Sequence, residues 1–221
     1  MPTLTLLLRS TLIGIIAFAF LAPLTACEDK DAQAIRAMLA DYDRANNTGN
    51  GPLAKDCVTQ ASDDQYDLIR RHALYSDEKT VRALGPNLKY NVVMTRNRAP
   101  AEQLEVLTGE DFLVWTTNEG WYAGGVSNWA GHFGAIRVDG NTATAPILDE
   151  EGQPTSEKGT FIKEGGRWRV DEPSMNSYVD KSYRLAARSE GMSEDEFIMS
   201  LETNDSGKEV TDAIWQPLIK K

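Results

Sequence analysis

The chain has 221 residues, 41% of them hydrophobic and 25% charged, a globular composition sufficient for one good-sized domain or two small ones. Lysine and arginine total 23 against 33 aspartates and glutamates, a net charge of −10. Phosphate is repelled by such a surface, so nucleic acid and anionic headgroups are poor partners for it, and no cluster of basic residues offsets the balance.

Residues 1–26 differ from the rest. Arg9 is their only charged side chain, and Thr11 to Leu24 is almost wholly apolar. A bilayer span needs about 20 apolar residues, so a basic start, a short apolar core and small residues at the end predict a signal peptide. Two cysteines follow, Cys27 and Cys57, and one disulfide between them is arithmetically open. The context of Cys27 argues against it. Leu24-Thr25-Ala26-Cys27, directly after the apolar segment, resembles the lipobox of bacterial lipoproteins. The resemblance implies cleavage between Ala26 and Cys27, a diacylglyceryl group on the Cys27 sulfur, and a bacterial envelope location. The membrane is then a partner through the lipid anchor at Cys27. One acyl chain holds a protein only marginally, whereas two or three hold it stably. Glu28 and Asp29 follow the cysteine, which leaves the choice between inner and outer membrane open. Cys57, in "AKDCVTQ", is then unpaired and reads as a small buried hydrophobe, with Asp56 nearer to it than Lys55.

The first part of the remaining chain, about 30–120, reads mostly helical. Ile35, Met38, Leu39 and Tyr42 recur at helical spacing in a helix from Asp31 to Asn46. The free tether behind Cys27 is therefore about five residues, roughly 17 Å at full extension. After "NNTGNGP", a breaker, a second helix runs from Ser62 or Asp63 to Tyr75 with Tyr66, Ile69 and Ala73 on one face. "SDEKTVRAL" opens another with Ser76 as N-cap, and Gly85-Pro86 ends it. Lys89 to Thr95 is open between strand and helix. "AEQLEVL" is helical, and Thr108 with Asp111 forms a capping pair for a helix carrying Phe112, Val114 and Trp115 that stops near Gly120.

Strands occupy about 124–174. "HFGAIRV" leads into the turn Asp139-Gly140-Asn141, and "TATAPIL" returns. After a polar loop, "KGTFIKE" turns at Gly165-Gly166 into "RWRVDEP". A two-residue turn there sets Phe161 opposite Val170, Lys163 opposite Trp168 and Glu164 opposite Arg167, the last a cross-strand charge pair. The third part, about 176–221, is helical: Tyr178, Ser182 and Leu185 share a face, Gly191 ends that helix, and Ser193 with Glu196 is a capping box. Gly207 ends the next helix, and Val210, Ile214 and Trp215 precede Pro217.

This order is α+β, with N-terminal helices packed on a curved antiparallel sheet and a C-terminal helical extension. "IRVDGNTATAPI" followed by "FIKEGGRWRVDEP" resembles the C-terminal hairpins of the NTF2-like (SnoaL-like) superfamily. The resemblance covers about 50 residues well and, more loosely, residues 31–175. It implies a cone with a hollow between sheet and helices. The domain plan is a signal peptide at 1–26, the lipidated cysteine and tether at 27–33, the cone at 34–175 and the extension at 176–221. The extension could cap the cone, cover the sheet or make a homodimer contact.

The quoted motifs are structural turns, so chemistry has to be sought separately. The enzymes of that superfamily place an acid or base inside the cone. His132, at the start of the first strand, is the weak candidate for such a base, against a plain structural role. His72 lies beside Leu68 and Ile69 on a helix face. Trp115, Trp121, Tyr122 and Trp129 cluster with five glycines and read either as an aromatic ligand mouth or as the filled join of helix and sheet. No phosphate loop, HExxH, CxxC or EF-hand spacing occurs, so neither metal nor cofactor is expected. The leading expectation is non-catalytic binding of a small molecule or an envelope protein. The alternatives are a cofactor-free isomerase or hydratase using His132 or a buried carboxylate, and a structural role in an assembly.

Overall fold

The computed structural model describes residues 29–122 and 129–220, with the backbone alone at Trp129 and Ala130. The Asp29 side chain caps α1 (Lys30–Thr48) by accepting the Asp31 N–H. Ile35, Met38, Leu39 and Tyr42 are all buried on it, as their spacing requires. The helix begins at Lys30, one residue before the expected start at Asp31. Gly49 closes α1 in the left-handed conformation and Asn50 at once caps α2 (Gly51–Cys57). Then come α3 (Gln60–Tyr75), α4 (Glu78–Arg82), α5 (Pro86–Arg98), α6 (Ala101–Val106) and α7 (Gly109–Asn118). Thr108 and Asp111 form the expected capping box of α7. The cap of α4 is Asp77 and not Ser76, whose backbone N–H ends α3 instead.

The open segment Lys89–Thr95 is helical. Val92 to Arg96 are buried in succession because α5 is enclosed, with α3 against it on one side and the C-terminal helices on another. An enclosed helix has no polar stripe, and a run of apolar residues then imitates a strand.

Four antiparallel strands form a meander in the order β1 (Arg137–Asp139), β2 (Thr142–Leu148), β3 (Pro154–Glu164) and β4 (Arg167–Asp171). Gly165 and Gly166 have φ of +57° and +82°, the left-handed pair of a tight hairpin turn. The register is the expected one, with Phe161 opposite Val170, Lys163 opposite Trp168 and Glu164 opposite Arg167. The charge pairing differs. Glu164 reaches Arg169 at 3.8 Å and accepts the Gln60 N–H, while Arg167 lies 3.6 Å from Asp56. Helices from elsewhere in the chain supply partners that a hairpin considered alone cannot show. The first strand is also shorter than expected. His132 ends a single 3-10 turn, Phe133 makes an isolated bridge to Ile147, and β1 begins at Arg137.

Ala143, Ala145, Ile147, Phe161, Trp168 and Val170 are buried on the sheet face that meets α1 and α2. Gly159 makes room for Phe133, whose ring would lie 2.3 Å from a Cβ there. The edge of β4 is covered by Val58 and Thr59, with the Thr59 N–H donating to Val170 O at 3.0 Å. The start of α1 is locked to the sheet: Asp31 Oδ1 accepts from Lys163 Nζ and from Trp168 Nε1, each at 2.8 Å. The Lys163 bond, then the Trp168 bond, hold the Asp31 carboxyl below its usual range.

After the 3-10 turn Glu172–Met175, the extension forms α8 (Asn176–Ser189), α9 (Glu194–Ser206) and a 3-10 turn at Asp212–Trp215. Ser193 and Glu196 complete the expected capping box, and Leu185 is 69% exposed. The extension packs on α5. Glu202 is 0% exposed and receives Arg98 in a two-pronged pair at 2.9 and 2.6 Å, with Asn97 donating at 2.7 Å. Lys89 donates to Asp195 at 2.6 Å, and Asp180 accepts the Asn87 N–H at the start of α5. Arg96 donates to the carbonyls of His72, Ala73 and Ser76 at the end of α3 and to Ile214 O in the tail.

Removing one member of a buried ion pair leaves the other charge without compensation. Glu202→Ala should therefore destabilise the chain by about 3–5 kcal/mol. Chemical denaturation checks this, and a loss no larger than for an exposed glutamate such as Glu151 would contradict it.

Candidate functional site

A polar cluster sits where β4 ends against α1 and α3. Pro173 turns the chain out of the strand, and this places Glu172 between the two helices. Tyr42 on α1 donates its hydroxyl to Glu172 Oε1. The Glu172 N–H donates to Ser62 Oγ at 3.1 Å, and Thr59 Oγ1 donates to Asp171 Oδ1 at 3.2 Å. Tyr66 on α3 and Tyr122 after α7 pack with their rings edge to face at 6.3 Å. Burial pushes the Glu172 carboxyl up to about 7; the Tyr42 hydrogen bond works against this, and the charges of Asp63 and Asp171 add to it. Burial, then the Glu172 charge, raises the Tyr42 and Tyr66 phenols well above their ordinary range. Glu172 with Tyr42 is thus a pair able to hold or release one proton near neutral pH.

Asp63 extends this acidity to the surface. It is 7% exposed, and one carboxylate oxygen has no hydrogen-bond partner among the described residues. Burial pushes its carboxyl up to about 6; Lys55 opposes this and Glu110 reinforces it. Asp63 lines a surface cleft of about 410 Å³ together with Gln60, Asp64, Asp67, Thr108 and Glu110. The cleft walls are close because Gly109, at the start of α7, rests on α3: a Cβ there would lie 2.2 Å from Asp63 O. A second cleft of about 210 Å³ lies between α5 and the tail, beside Arg96 and Ile214. Glu172 and the three tyrosines line neither of these clefts.

The aromatic residues singled out in the sequence are partly brought together. Trp115 and Trp121 meet at 5.1 Å, Phe112 packs on both, and the Arg98 guanidinium lies over Trp121 at 5.8 Å. Trp115, Trp121 and Tyr122 are half-buried against the core. The Trp129 side chain lies outside the described residues, as do Cys27 and the cleavage point after Ala26. His132 is half-buried at the end of its 3-10 turn. His72 pairs with Ser76 Oγ at 2.8 Å, and burial, then Arg71 and Arg96, lowers its pKa. Cys57 is 3% exposed, and burial pushes its thiol up to about 12, with Asp41 and Asp56 adding to the rise. Among the described residues no group of three His, Cys, Asp or Glu side chains could hold a metal ion, and none of the helices is long and apolar enough to cross a membrane.

Glu172 was missed as a site residue. In sequence it is one of two carboxylates ending a strand, and its partners Tyr42 and Tyr66 read as core positions of helices. No protein-family model matches the chain, and no curated protein or solved structure matches it.

Two measurements follow from these environments. Glu172 holds its proton more tightly in the folded chain than in the unfolded one, where its pKa is 4.5. Its contribution favours folding at low pH and is lost as pH rises from 4.5 to about 7. Urea midpoints of the wild type relative to Glu172→Gln should therefore fall across that interval; parallel curves would contradict the assignment. The Cys57 thiol should resist a disulfide-exchange reagent in the native chain and react at once in denaturant, and fast native labelling would contradict its burial.

Proposed function

We propose that this chain is a bacterial envelope lipoprotein, acylated on Cys27 after cleavage behind Ala26. Its NTF2-like α+β domain binds a partner without catalysing a reaction. The observation that carries this reading is the start of α1 at Lys30, capped by Asp29. Folded structure begins just behind the lipobox cysteine, as suits a domain held close to a bilayer. The filling of the space between α1, α3, α7 and the sheet by Tyr42, Tyr66, Phe112 and Phe161 supports binding at the outer surface over an enclosed ligand. The cleft beside Asp63, about 410 Å³ against about 210 Å³ for the one beside Arg96, is the roomier recess for it.

One observation favours the second reading, a cofactor-free isomerase or hydratase. The base would be Glu172 with Tyr42 in place of His132, since that carboxyl is held near neutrality by burial. Such an enzyme needs a path for substrate to Glu172, and the described clefts supply none.

Mass spectrometry of the envelope fraction tests the leading reading. The N-terminal peptide should begin at Cys27 and carry the mass of two or three acyl chains, and Cys27→Ser should move the chain out of the membrane fraction. An unmodified N-terminus, or unchanged fractionation of the variant, would overturn it.

A further inference from the structure

The first turn of α1 fixes more than a distance. Asp31 lies four residues after Cys27, so the chain between them spans at most about 14 Å. Asp31 is held by Lys163 and Trp168, which stand on either side of the Gly165-Gly166 turn. The neighbouring turn is tied to the same place, because Lys163 N–H donates to Asn141 O at 2.8 Å. Both hairpin turns therefore sit beside the origin of the tether. The other end of the sheet is remote. β2 carries the chain away over seven residues, about 23 Å, to the loop that Asp149 holds by accepting from Gln153 N at 2.7 Å.

We infer that the sheet end formed by residues 139–141 and 164–167 is the face that lies against the phospholipid headgroups. This rests on the proposed acylation of Cys27. The two turns consist of Asp139, Gly140 and Asn141, and of Glu164, Gly165, Gly166 and Arg167. They carry no large apolar side chain, so the face rests on the headgroup layer and does not enter the acyl region. The acidity of the chain gives no attraction to anionic lipid. The orientation is imposed by the short tether and the Asp31 lock. It also sets the acidic cleft beside the bilayer, since Gln60, which lines it, donates its N–H to Glu164 at 3.3 Å.

The test uses the full acylated chain in phosphatidylcholine vesicles containing a headgroup-spin-labelled lipid. A fluorophore is placed in turn at Asn141→Cys, Arg167→Cys and Glu151→Cys, all exposed positions; buried Cys57 stays unlabelled. Emission at 141 and 167 should be quenched severalfold more than at 151. Equal quenching, or the strongest at 151, in a chain that floats with the vesicles overturns the orientation and leaves the anchor standing. A chain that does not float, with no label quenched, overturns the anchor and the orientation with it. A long Gly-Ser spacer between Glu28 and Asp29 should abolish the contrast. A contrast that survives the spacer would overturn the tether and lock as its cause.

Discussion

A helix enclosed on all sides normally carries no charge, yet α5 brings Lys89, Arg96 and Arg98 into the protein. Each is compensated differently. Lys89 meets Asp195, Arg98 meets the fully buried Glu202, and Arg96 meets no carboxylate among the described residues. Arg96 instead gathers the carbonyls that end α3, the negative pole of that helix, and one carbonyl from the tail. Burial lowers its pKa to about 10, which leaves it charged at neutral pH. Both carboxylates and one of the carbonyls lie in the last 45 or so residues, so the C-terminal extension is part of the core and no detachable appendage. Stripped of it, α5 would lose the acids that meet Lys89 and Arg98, and Arg96 would keep only the carbonyls that end α3.

At the opposite side of the helical layers the polarity is reversed. Glu172 and Asp63 are acids short of cations: Glu172 accepts from the Tyr42 phenol, and the charge of Asp63 raises its pKa further. The structure thus keeps a cation-rich helix and an acid-rich junction apart, with α3 between them. That separation bears on function: the acid side carries the larger cleft, and the cation side is spent on holding the chain together.

The readable parts of the sequence were those whose causes are local. The buried stripe of α1 follows from a period, the two capping boxes from a four-residue pattern, and the β3–β4 register from a glycine pair that permits one turn. What failed depends on distant chain. Lys89–Thr95 stays open between strand and helix in the sequence because the helices that surround it lie far along the chain. The Glu164–Arg167 pair expected from the hairpin gives way because Gln60 and Asp56, from distant helices, draw its two charges elsewhere. Leu185 completed a stripe on a helix whose other side meets the protein. The site was the least readable. Glu172 and Tyr42 are 130 residues apart, and neither residue type is unusual in its own setting.

The pairing of α5 with the extension also sets a timetable. Arg98 and Glu202 are 104 residues apart, and Lys89 and Asp195 are 106 apart. A chain emerging from its N-terminus has α5 long before it has either acid. The α1–α3 helices and the hairpins can form early from near neighbours, but the centre stays electrically unfinished until the last helices arrive. Assembly should therefore be late and all at once. A chain that stops before α9 would expose an incomplete interior to proteases and could not settle into a smaller stable domain.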